Sequence, residues 1–229
     1  LIAEDGRVLI PLDDAAAGAP SHSIHLKPLA EDALSLPVRT GKARVIGIEP
    51  ASLVTKSLVR EVNTDDAGCF QSALNPGLTK IAVIERHKRT GKLGIGILEG
   101  YGLTGGAIAT TISHDSHNIV VAGDNDPDML LAVRELADMG GGIVSVHGGA
   151  IRRLPLPIAG LMTSADPQEV NAVLHDMLVA ARAELGIPED VEPFMTLSFM
   201  ALPVIPELKL TARGLFNVNT FSFVGVEAD

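Results

Sequence analysis

Five consecutive polar residues, His114-Asp115-Ser116-His117-Asn118, put two imidazoles, a carboxylate, a hydroxyl and an amide side by side. The run before them, Gly105-Gly106-Ala107-Ile108-Ala109-Thr110-Thr111-Ile112-Ser113, is apolar and β-branched, and Ile119-Val120-Val121-Ala122-Gly123 restores that character afterwards. A polar junction of this composition can hold a proton, a metal or a purine ring. On a strand His114 and His117 would face opposite ways, whereas a turn lets them converge. Asp115 can orient an imidazole through its ring N–H. Asn118 both donates and accepts, which suits the edge of a purine. The competing reading is a plain turn in which Asp, Ser and Asn cap backbone groups. Two histidines in one such turn favour chemistry.

A second polar strand end, Glu85-Arg86-His87, follows the apolar run Lys80-Ile81-Ala82-Val83-Ile84. It reads equally well as a surface ion pair of little worth. If this strand lies beside Ile108–Ile112, the two polar ends meet in one pocket. The chain has no His-x-His and no complete metal-hydrolase set, so the cluster is not expected to act alone and no metal ligand is assigned. His22 and His25 read as exposed loop residues. Gly100-Tyr101-Gly102-Leu103-Thr104-Gly105 fits G-x-G-x-x-G, with Asp124 following. The dinucleotide motif requires a helix after its last glycine, and Thr110, Thr111 and Ile112 predict a strand instead, so nucleotide binding here is rejected.

The elements that must position these groups are mostly strands. Leu1–Ile10 reads as a hairpin with an Asp-Gly turn. A chain that opens inside such an element is expected to be a piece of a longer protein. Residues 11–37, with Ala15-Ala16-Ala17-Gly18-Ala19-Pro20, read as a connector. Strands are expected at Arg44–Ile48, Leu53–Thr55, Lys80–Ile84 and Leu93–Leu98, with a loop over 63–77. A helix begins at Asp126-Pro127, read as N-cap and first helical residue, and stops at Gly140-Gly141-Gly142. A second begins at Asp166-Pro167 and ends at Gly186. Ile143–Val146 and Ala150–Leu154 read as a hairpin around His147-Gly148-Gly149, and the stretch 215–224 alternates like a strand. The paired-proline segments Pro155–Met162 and Leu202–Lys209 are extended, and Met162, Met195 and Met200 are expected to be buried. The fold class is therefore α+β, mostly β-sheet with at least two packed helices.

Composition narrows the function classes. The 229 residues are 46% hydrophobic and 20% charged, which is globular. A net charge of −10 with no Lys/Arg cluster argues against nucleic acid as a partner. Lys88-Arg89 and Arg152-Arg153 read as solvated pairs. No apolar run reaches the roughly 18 residues of a membrane span. The single cysteine, Cys69, excludes an internal disulfide and fits a reducing, cytoplasmic setting.

Several separated motifs occur in an order that resembles the carboxy-terminal region of bacterial and archaeal adenine deaminases. They are Lys80–His87, Gly106–Thr111 with His114–Asn118, Leu156–Met162 and Leu202–Lys209, and the likeness runs from about Ala43 to Val224. The opening Ala3–Val8 is similar to the small β-domain that accompanies amidohydrolase barrels. The resemblance implies two domains here, 1–37 as β-remnant plus connector and 38–229 as the C-terminal α+β domain. It implies hydrolysis of adenine to hypoxanthine and ammonia on an iron or manganese centre held by a (β/α)8 barrel. Such a barrel takes about 250 residues, so this chain has no room for one beside the matched region. Three readings follow. In the first, His114, Asp115 and His117 are catalytic, Asn118, Ser116, Glu85, Arg86 and His87 contact adenine, and together they line or close a site formed with the barrel. In the second, the chain is a structural or oligomerisation module. In the third, His114, His117 and a distant ligand hold a metal within this chain. The expected partners are the barrel, adenine and further copies of the protein, and the isolated chain is expected to be inactive.

Overall fold

The protein is described from a computed structural model that covers residues 1–10 and 22–228. The Ala15–Pro20 part of the expected connector lies outside these residues. Strands β1 (Ala3–Glu4) and β2 (Arg7–Val8) form the expected hairpin, exposed along its length. The central structure is an eight-stranded sheet. It is built from β3 (Lys42–Ile48), β4 (Thr55–Glu61), β5 (Leu78–Ile84), β6 (Leu93–Glu99), β7 (Gly106–Thr110), β8 (Ile119–Gly123), β9 (Gly142–His147) and β10 (Ala150–Pro155). The strand order is β10-β9-β7-β8-β5-β6-β3-β4, and every pairing except β3 with β6 is antiparallel.

Both faces of this sheet are covered, which explains why its central strands read as unbroken apolar runs rather than as alternation. Ala82, Ile84, Ala107, Ala109, Ile119 and Val121 point to one side. There they meet Met129, Leu130, Val133 and Leu136 of α1 (Asp126–Asp138). Ile81, Val83, Ile108, Val120 and Ala122 point to the other side. They pack with α2 (Pro167–Ala183), α3 (Pro193–Phe199) and a small sheet of β11 (Leu208–Thr211), β12 (Gly214–Asn217) and β13 (Ser222–Phe223). The result is α+β, mostly sheet, with three helices and no closed barrel among the described residues.

Local chemistry sets the boundaries. Asn125, not Asp126, caps α1. Its side chain accepts from the Asp128 amide at 2.9 Å, and this frees the Asp126 carboxylate to meet Lys80 Nζ at 2.6 Å. Asp166 caps α2 as expected, accepting from the Gln168 amide at 2.7 Å. The short helix α3 carries a Pro-Phe-Met-Thr-Leu-Ser-Phe sequence too brief to show a helical period. Gly94 of β6 has a packing reason. A Cβ on Gly94 would lie 2.0 Å from the Thr211 carbonyl oxygen, so only glycine lets the small sheet sit against the large one.

One expectation needs correction. Met162 and Met195 are each 56% exposed, and only Met200 is buried. Met162 closes a tight turn with Ile158 at the surface, and Met195 occupies the outer side of α3, where the sheet cannot reach it. Part of the expected connector also packs on the domain. Leu34 is fully buried in the α1-side core, and the His25 amide donates to the Arg86 carbonyl at 2.7 Å.

Candidate functional site

Antiparallel register brings the two polar strand ends together. Ile84 at the end of β5 pairs with Ile119 at the start of β8, and Thr110 at the end of β7 pairs with Val120. β5 and β7 are thus not neighbours, the arrangement on which a meeting of the two polar ends had been made conditional. β8 lies between them, and because both run antiparallel to it, their ends arrive at its beginning. Glu85-Arg86-His87 and His114-Asp115-Ser116-His117-Asn118 meet there.

The contacts are specific. The Arg86 guanidinium donates through Nε to the His117 carbonyl. His87 Nε2 donates to the Ser116 carbonyl at 2.8 Å. The turn is closed by the His117 amide donating to the Ser113 carbonyl at 2.6 Å, and the His114 amide anchors it to the Ser198 carbonyl at the end of α3. The two imidazoles converge, with ring centres 5.9 Å apart, and His114 also lies 4.5 Å from the Phe199 ring. The Asp115 side chain is 87% exposed, its carboxylate 4.0 Å from His114 Nδ1. Ser116 is exposed and Asn118 is buried.

Electrostatics divide these groups. Burial pushes the His117 imidazole below the ordinary histidine range, and the neighbouring His114 and Arg86 add to that, so it is neutral at pH 7. Its Nδ1 is buried with no hydrogen-bond partner among the described residues, and the same holds for Ser113 Oγ. Burial raises the pKa of the Glu85 carboxyl, but hydrogen bonds outweigh it. The Thr90 hydroxyl and the amides of Thr90, Lys88 and His87 all donate to it, and together they lower its pKa to about 2. Glu85 thus closes the 85–90 turn on itself. Arg86 is 1% exposed, and Ser23, His117 and Ala159 occupy its donors.

Glu85, Asp115, Ser116 and Asn118 border a cleft of about 780 Å³. Leu202, Pro203 and Val204 line it too, as do Arg213, Phe216, Phe221 and Phe223 of the small sheet. Phe216 meets Phe221 and Phe223 edge-on, each at 5.2 Å, and the Arg213 guanidinium lies 4.7 Å above Phe223. Phe221 is 77% exposed. Sequence reasoning missed this aromatic rim, although a signal was present. Three of the six phenylalanines in an aromatic-poor chain fall between 216 and 223.

The loop resembling a dinucleotide motif is followed by strand β7, not by a helix. Asp124 accepts from the Gly105 and Gly106 amides at 2.5 and 3.0 Å, so its carboxylate holds that loop in shape. Among the described residues no three His, Cys, Asp or Glu side chains converge to hold a metal ion. The Asp115 carboxylate turns to solvent while His117 Nδ1 is buried, so the pair of imidazoles lacks the third donor a centre needs. The iron or manganese that the resemblance implies does not fit these residues. No helix of the described residues is long and apolar enough to cross a membrane.

The class to which this fold and turn belong follows from comparison with known proteins. A family model, the adenine deaminase C-terminal domain, matches residues 52–222, and the chain belongs to that family. It is 56% identical over 227 residues to an adenine deaminase of Nitratidesulfovibrio vulgaris strain Hildenborough, covering 99% of this chain and 39% of that protein. It is 46% identical to adenine deaminase 2 of Carboxydothermus hydrogenoformans, over 99% of this chain and 40% of the relative. For an adenine deaminase of Clostridium acetobutylicum the figures are 44%, 89% and 36%. The chain thus spans about two-fifths of the length of these curated relatives.

Proposed function

We propose that this chain is the carboxy-terminal portion of an adenine deaminase, which converts adenine and water to hypoxanthine and ammonia. In this reading the His114–Asn118 turn lines or closes an active site whose remaining walls belong to a barrel outside this sequence. The hairpin at the start of 1–37 goes with the small β-domain of that barrel, and 38–229 form the appended domain, on which the connector residues around Leu34 pack. One observation carries the reading. Three strand ends of one sheet converge where Asp115, Ser116 and Asn118 border a cleft, and the turn that carries them holds two imidazoles 5.9 Å apart, one of them neutral with a buried, unpartnered ring nitrogen.

The chemistry assigned to each group follows from its setting. His117, neutral at pH 7, accepts or relays a proton. His114 and Asp115 form the outer part of the same relay, and Asn118 and Ser116 offer amide and hydroxyl groups to the purine edge. Iron or manganese would be held by the barrel, outside these residues, and would supply Lewis acidity there. The isolated chain is inactive in this account. The complete protein works in the cytoplasm as a homo-oligomer and has neither nucleic acid nor membrane as a partner.

The exposed Phe221 and Val204 favour a second reading, in which the domain serves assembly alone. A chimera separates the two. The matched part of the N. vulgaris enzyme is replaced by this chain, with or without His114→Ala. A large fall in adenine turnover at unchanged oligomeric state supports the catalytic reading. Altered assembly with normal turnover in the complexes that remain supports the second.

A further inference from the structure

Arg86 is the feature least explained by its sequence context. A buried cation ordinarily has a carboxylate partner, because an unpaired charge is costly to desolvate. Arg86 has none among the described residues. Its Nε donates to the His117 carbonyl, Nη1 to the Ser23 carbonyl and hydroxyl at 3.2 and 3.1 Å, and Nη2 to the Ala159 carbonyl at 3.0 Å. One guanidinium therefore ties together the segment near residue 23, the polar turn and the 158–162 loop. That loop is shaped to receive it. A Cβ on Gly160, which has φ +72°, would lie 3.0–3.2 Å from three guanidinium atoms, and the Thr111 hydroxyl at the end of β7 donates to the Gly160 carbonyl.

We infer that Arg86 is the positioning residue of the site: from behind the turn it fixes the His117 backbone, and with it the place and direction of the His117 imidazole. Its guanidinium nitrogens are all taken up by Ser23, His117 and Ala159, so the side chain is not a catalytic residue. A planar fork suits this task, since it reaches several carbonyls at fixed angles, which an ammonium cannot do. The cation also faces the ring it positions. The charged or titratable groups around His117 are His114 and Asp115 from its own turn and Arg86 and His87 from the end of β5. Of these only Asp115 favours the imidazolium, and it is largely in solvent. The role rests on the reading that the turn serves an active site, but its test makes no use of turnover.

The test is nuclear magnetic resonance on the 229-residue chain. The ring signals of His117 and of the exposed His175 are followed against pH, together with amide hydrogen exchange over 114–118. In Arg86→Met the His117 midpoint is expected to move up while His175 stays in place. Turn amides should exchange about tenfold faster while β5 and β8 remain protected. Arg86→Lys keeps the charge, so its midpoint should stay near that of the parent while the turn amides still exchange faster. A folded Arg86→Met protein with unchanged His117 midpoint and turn exchange overturns the inference, as does an equal shift of His175. Wild-type turn exchange in Arg86→Lys overturns the part played by the fork. Should Arg86→Met fail to fold, Gly160→Ala presses on the guanidinium without removing it. Faster turn exchange then supports the inference, and unchanged exchange overturns it.

Discussion

Two buried cations stand near opposite ends of strand β5, and they are held in opposite ways. Lys80 meets the Asp126 carboxylate at 2.6 Å and the Leu34 carbonyl at 3.0 Å, at the start of α1. Arg86, just past the other end, meets only carbonyls and one hydroxyl. The first arrangement neutralises a charge and joins sheet to helix. The second leaves a positive charge in place beside an imidazole that is already short of solvent. A carboxylate at Arg86 would favour the imidazolium form of His117, and carbonyls do not. The contrast separates a fastening from a device that also sets a protonation state.

The contrast makes its largest demand at the fastened end. Asp126→Ala leaves Lys80 buried and unpaired and should lower unfolding free energy by about 3 kcal/mol, read from urea transitions. Replacing both partners together, Lys80→Met with Asp126→Leu, should recover most of that loss. Arg86→Met should cost less overall, about 1–2 kcal/mol, because lost hydrogen bonds are partly offset by relief of an unneutralised buried charge. A loss as large as that of Asp126→Ala would erase the distinction.

Smaller effects come from pH. The His117 pKa lies below its unfolded value of about 6.5. Its contribution is therefore complete above that pH and is lost as pH falls from there through the folded value. Urea midpoints measured across this window should decline less in His117→Gln than in the parent. Glu85 acts lower still. Its pKa of about 2 means that its contribution is present above the ordinary 4.5 and disappears as pH falls toward 2. Glu85→Gln should therefore lower stability at neutral pH and flatten its acid limb, the two proteins converging as pH falls toward 2.

Much of the scaffold was legible in the sequence because its signals are local. β5, β7 and β8 are β-branched runs of strand length, and the Pro-initiated, Gly-terminated helices α1 and α2 carry their boundaries with them. The juxtaposition of Glu85–His87 with His114–Asn118 was conceivable from two polar strand ends, but the strand between them was not. The burial of Arg86 was not legible either. Glu-Arg-His reads as surface, and what covers it, Ala159 and Gly160, lies more than seventy residues away in a segment that looks merely proline-rich. The aromatic rim was hidden for the same reason, since Phe216, Phe221 and Phe223 reach the turn only through the packing of the small sheet on β6.

The central claim is that His117 serves the deamination of adenine and does more than complete a turn. It is tested most directly by ammonia release from adenine in the chimera of this chain with the N. vulgaris enzyme, comparing His117→Gln with His175→Gln at matched thermal stability. The account predicts a fall of about a hundredfold or more for the first and parent activity for the second. Equal, near-parent rates in both variants would contradict it.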